Sequence, residues 1–90
     1  MKTLRQAYKE LNGFNITTRR KADHFCQLEE LRKQLDNLVT ETGLVVIGTD
    51  WNPDFYEYQQ AIKTKATKKE LDKRLKYCIV ATCGAIKRAL

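Results

Sequence analysis

One histidine, three cysteines and a short run of acids are the residues in this 90-residue chain whose types suit chemistry. His24 lies two residues from Cys26, and that spacing does not put two side chains on one helix face. A cysteine nucleophile needs a base within hydrogen-bond reach, so this pair is a poor catalytic dyad. His24 reads better as a surface or boundary residue. Cys78 and Cys83 are five apart and form no CxxC pair. With Cys26 and His24 they match no zinc-ligand spacing. Cys78 fits a small buried hydrophobe. Asp50, Asp54 and Glu57 follow an apolar run, as a metal-binding acid follows a strand in some nucleases. They equally suit a turn and the first turn of a helix. No glycine-rich phosphate loop and no H-E-x-x-H motif is present. The expectation is a protein without cofactor or metal, and no enzyme.

Binding residues are better represented. Trp51, Tyr56, Tyr58 and Asp54 stand close together, with Phe55 between them. Trp and Tyr dominate protein-binding hot spots, so this group is the candidate partner-binding surface. Arg19, Arg20 and Lys21 form one basic strip, and Lys68, Lys69, Lys73 and Lys76 form another. Both strips would meet phosphates if the chain touches nucleic acid. The net charge is +6, and residues 67–90 hold seven basic and two acidic side chains. Positive potential concentrated there favours an acidic partner. A solvated lysine face that keeps a small protein soluble is the plainer explanation.

The elements that must position these residues follow from periodicity. Residues 67–90 are expected to form the helix around which the chain is organised. Thr67 and Glu70 make a capping box. Leu71, Leu75, Cys78, Ile79, Thr82, Ile86 and Ala89 recur on one face, and Lys69, Lys73, Lys76 and Lys87 fall roughly opposite. Ala81, Gly84 and Ala85 form a small-residue strip. Gly84 would suit close approach of another backbone, or is a glycine tolerated in a packed helix. Val80 points to the lysine side, where either a covering element or a single exposed valine is expected.

Residues 3–11 form a short helix capped by Thr3. Leu4, Ala7, Tyr8 and Leu11 face inward, and Asn12-Gly13 supplies a left-handed stop. Thr17 or Thr18 caps a long helix over 18–42. Leu28, Leu31, Leu35 and Leu38 make its seam, and Phe25 and Val39 widen it. Packing against the terminal helix is preferred to a coiled-coil dimer. Glu29–Lys33 and Arg32–Asp36 are opposite-charge pairs at i,i+4. Gly43 ends the helix. Residues 44–49 are expected to be extended, running back along the long helix and either pairing with 14–17 or packing there as an extended strap. Asn52-Pro53-Asp54 starts another helix, with Phe55, Tyr58, Ala61 and Ile62 inward.

The fold expectation is therefore mainly α: a small four-helix bundle-like domain, 1–90, with one short extended segment. No apolar run is long enough to cross a bilayer. The N-terminus has no apolar signal region. The odd cysteine count suits free thiols in a reducing cytoplasm. The functional expectation is a small accessory protein that docks on a protein of nucleic-acid-processing machinery and modulates or inhibits it. It is read as a monomer or homodimer. The alternative is direct, sequence-tolerant binding of nucleic acid through the basic faces. A metal-dependent nuclease using the acid cluster is the third reading.

Overall fold

The computed structural model describes residues 3–14 and 20–90. Four helices follow one another: α1 (Leu4–Asn12), α2 (Asp23–Thr42), α3 (Pro53–Lys63) and α4 (Lys68–Ala89). The fold is the expected mainly-α bundle, and there is no strand among the described residues. α4 packs most extensively on α1 and α3, while α2 packs on α1, α3 and a short turn. The leucine seam of α2 is buried within the chain, with Leu31 and Leu35 fully inaccessible. It joins one buried cluster with Leu75, Cys78, Ile79, Cys83 and Ile86 of α4, as expected, and with residues of α1 and α3.

Local chemistry explains the helix ends. Thr3 and Gln6 form a reciprocal capping box on α1. Gly13 ends α1 with φ −90°, so the expected left-handed stop is not used. Asn52 caps α3 by accepting from the Asp54 and Phe55 amides, with Pro53 at the first position. Thr67 caps α4 through the Glu70 amide. Gly43 leaves α2 in the left-handed region at φ 76°, where a Cβ would be strained.

α2 begins at Asp23, later than the expected residue 18. Residues 20–22 form a turn, and the Asp23 carboxylate accepts the Arg20 amide at 2.8 Å. The caps proposed at Thr17 and Thr18 lie outside the described residues.

The segment 44–49 is not extended. Val45–Ile47 is a single 3-10 turn, and the chain turns again over 49–51 to start α3. Only Ile47 of the turn is buried, whereas Val45 and Val46 face outward. A strap running back along α2 would have needed both sides of the run covered. One inserted isoleucine at the C-terminal end of α2 closes the core instead. Of the segment proposed to pair with it, Phe14 packs half-buried on the core, and 15–17 lie outside the described residues.

The core is otherwise as the periodicity implies. Leu71, Leu75, Cys78, Ile79, Thr82 and Ile86 of α4 are buried, but Ala89 is exposed. Phe55 and Tyr58 of α3 join them, with Ile62 packed against the cluster. Phe25 is not part of the seam: it is 64 % exposed. Its place is taken by His24, which lies a full heptad before Leu31 and two before Leu38. The pair Arg32–Asp36 does not form. Arg32 lies over the Phe55 ring at 5.2 Å, and Asp36 accepts from Thr49. Val80 is 60 % exposed, as a single exposed valine would be.

Gly84 approaches no other backbone. The nearest atom to an added Cβ is Arg88 Nη1 at 3.5 Å, an ordinary contact. Gly84→Ala should therefore raise stability by about 1 kcal/mol through helix propensity, seen as a higher midpoint in urea.

The thiols differ in environment. Cys26 is exposed, while Cys78 and Cys83 are buried. Burial, reinforced by Asp54, pushes the Cys78 thiol from 9.0 up to about 12, against a lowering hydrogen bond from Thr82. Cys26 should react rapidly with a thiol reagent in the native protein, and Cys78 only on unfolding. Because the unfolded chain releases the Cys78 proton first, this contribution to stability is full below pH 9.0 and lost as pH rises through about 12. Denaturant midpoints measured across that range should fall, and less so for Cys78→Ala.

Candidate partner-binding site

The turn after α2 is a constrained loop that carries a large exposed side chain. Trp51 is 69 % exposed, the largest apolar side chain left outside the core. Val46, 55 % exposed, stands beside it across a groove of about 320 Å³. Pro53, Ala81, Ala85, Asp54 and Arg88 line that groove too, as do Asn52 and Thr82. On its other side Trp51 borders a shallower depression of about 270 Å³, lined also by Val45, Val39, Thr40 and Asp36. Trp51 thus forms a ridge between two concave surfaces.

The ridge is held from three directions. Asp36 of α2 accepts from the Thr49 amide at 3.3 Å and from its hydroxyl at 3.1 Å. Gly48 sits against α2, where an added Cβ would come within 2.9 Å of Val39 Cγ2. Asn52, next to Trp51, is buried. Its Oδ1 caps α3, and its Nδ2 donates to Thr82 Oγ1 of α4 at 2.8 Å. The Thr82 hydroxyl in turn donates to the Cys78 carbonyl at 2.7 Å. Asn52 therefore joins the loop, α3 and α4 through one side chain. Its capping role was legible in the sequence; its bond to Thr82 was not.

The sequence-proposed binding group divides. Trp51 and Tyr56 are exposed, and Asp54 is half-buried in the groove wall. Tyr58 is fully buried and is not part of any surface. Its hydroxyl lies 2.7 Å from His24 Nδ1 and 3.2 Å from the His24 carbonyl. Burial, then Cys78 and Asp72, raises the phenol above its ordinary range.

His24 is likewise not a surface residue. It is completely buried, and its Nε2 meets Asp72 Oδ1 at 2.7 Å. The other Asp72 oxygen accepts from Lys68 Nζ at 2.7 Å. The exposed Cys26 lies on another face of α2, so no nucleophile–base pair forms between them. Among the described residues, no three His, Cys, Asp or Glu side chains group in a way that could hold a metal. No helix among them is long and apolar enough to cross a membrane.

The basic strips also divide. Arg19 lies outside the described residues. Arg20 is 3.9 Å from Asp23, Lys21 donates to the Lys65 carbonyl at 3.3 Å, and Lys68 is tied to Asp72. Lys69, Lys73 and Lys76 stand exposed on α4 without an ion pair among the described residues.

No protein-family model matches the chain, and no curated protein or solved structure matches it.

Because Asn52 supplies both the cap and the inter-helix bond, Asn52→Ala should cost about 1–2 kcal/mol and loosen the Trp51 loop. A lower melting temperature together with faster tryptophan anisotropy decay would register both effects.

Proposed function

We propose that the chain is a non-enzymatic binding protein that docks on a protein partner through the Trp51 ridge. The observation that carries this reading is a tryptophan exposed over most of its surface on a loop fixed by Asp36, Gly48 and Asn52. Leaving an apolar side chain of this size in water forgoes roughly 2 kcal/mol of burial. A flexible loop could fold it away, whereas this loop is clamped to α2 and α4. Pre-organisation of that kind reduces the ordering cost of binding. Grooves on both sides of the ridge give a partner room to enclose the indole, the desolvated setting in which aromatic anchors contribute most. Tyr56, exposed on the first turns of α3, extends the surface.

The partner's character is read from charge. The chain is strongly basic, and Arg88 lines the groove beside Trp51. A partner with an acidic or DNA-mimicking surface, as occurs in nucleic-acid-processing machinery, complements it. Modulation or inhibition by occupying such a surface is the action proposed.

Capture from host lysate with the tagged chain, followed by mass spectrometry, tests the reading. The partner should survive nuclease treatment and moderate salt. Trp51→Ala should weaken its capture by about 2 kcal/mol or more. Phe25→Ala is the control: it removes an equally exposed aromatic near the opposite end of α2 and should change little. Equal loss with both variants would sink the site, and loss on nuclease treatment would sink the protein partner.

A further inference from the structure

The outer face of α4 is a second surface, separate from the Trp51 ridge. Lys69, Lys73, Lys76 and Lys87 lie within one narrow strip of the helix at 100° per residue, with Val80 among them and Tyr77 beside it. All six side chains are exposed. From Lys69 to Lys87 is eighteen residue steps, or about 27 Å of helix.

What distinguishes these lysines is the fate of their acidic neighbours. α4 contains two acids, Glu70 and Asp72. Glu70 is bound by Arg74 at 3.0 Å, and Asp72 is held by Lys68 and by buried His24, both at 2.7 Å. The helix therefore neutralises its carboxylates with other cations. None of the four strip lysines forms an ion pair with a described residue. Lys73 does lie over the Tyr77 ring at 5.7 Å. The result is a linear array of positive charge with no acid inside it.

We infer that this face binds the phosphate backbone of duplex nucleic acid, without regard to sequence. A straight array of point charges complements a straight polyanion, which carries about one charge per 1.7 Å of axis. The strip has no Arg, Asn or Gln, the side chains that read base edges, so it is suited to backbone contacts alone. Single-stranded nucleic acid is a poorer fit. It requires stacking platforms, and the one aromatic here already has Lys73 across its ring. A bilayer surface is also a poorer fit, because an interfacial helix buries an apolar face in lipid and the apolar face of α4 is in the core.

Fluorescence anisotropy with a labelled random-sequence DNA duplex tests the inference. With four phosphate contacts, raising salt from about 50 to about 200 mM should weaken binding roughly 150-fold. Lys69→Gln/Lys76→Gln should reduce that loss to roughly 12-fold. Lys21→Gln/Lys68→Gln removes the same net charge from lysines already engaged internally, and should leave the salt dependence near that of the parent. Lys69→Arg/Lys76→Arg should restore it, and circular dichroism checks that each variant is folded. Trp51→Ala should leave duplex binding unchanged, so failure here and failure of the protein-docking reading are separable. Absence of binding at low salt would overturn the inference. Equal flattening by the two Gln pairs would do the same, as would tighter binding to phosphatidylserine vesicles than to the duplex.

Discussion

The interaction on which the bundle depends most is the burial of His24. An imidazole with no solvent access must find partners for both nitrogens, because an unmet buried polar group costs about 1–3 kcal/mol. Here the two partners come from two other helices, Tyr58 of α3 and Asp72 of α4. One side chain on the first turn of α2 thus fixes the positions of three helices at one end of the bundle. The Tyr58 hydroxyl also reaches the His24 carbonyl, so the ring and its own backbone are held together. Such a network favours a unique packing over alternatives that would leave the same groups dry and unpaired.

The network also sorts the surface charges. Asp72 is only half-buried, and it draws Lys68 inward. Lys21 closes over the turn between α3 and α4 by donating to the Lys65 carbonyl. That carbonyl belongs to the one described non-glycine residue with positive φ, 56°. Basic residues at this end are therefore structural fasteners. Arg74 holds Glu70, whereas Lys69, Lys73, Lys76 and Lys87 form no ion pair with a described residue, and their charge is left to solvent or to a partner.

Most of the fold was legible because it rests on local rules. Thr3, Asn52 and Thr67 are strong caps, and the apolar spacing of α3 and α4 is unambiguous. Misreadings arose where one residue's role was set by tertiary contacts. His24 shares the heptad of Leu31 and Leu38, so its burial was recoverable from spacing. Phe25 is the more hydrophobic neighbour, but at 100° per residue it falls outside the arc of the leucine seam and is exposed. The run Leu44–Ile47 has strand composition, but four apolar residues carry no period that distinguishes a strand from a turn with one inserted side chain. Tyr58 and Tyr56 are two residues apart, and on a helix that separation sends them to opposite environments. Grouping them by proximity in sequence put one core residue into the binding surface.

The small residues of α4 acquire a meaning only in three dimensions. Gly84, in the strip with Ala81 and Ala85, fits either close approach of another backbone or a glycine tolerated in a packed helix. No described backbone of another element lies close to Gly84, and Ala81 and Ala85 line the groove together with Val46 and Trp51. Larger side chains at those two positions would fill the groove and leave Trp51 on a flat surface. The same helix therefore serves three environments around its circumference. Its apolar stripe closes the core, its small stripe opens the groove beside the tryptophan, and its lysine stripe carries charge that no described residue pairs. A 22-residue helix has room for all three because they occupy different arcs of its circumference. Helix periodicity is thus what places a clamped aromatic ridge and an unneutralised basic strip side by side in a chain of only 90 residues.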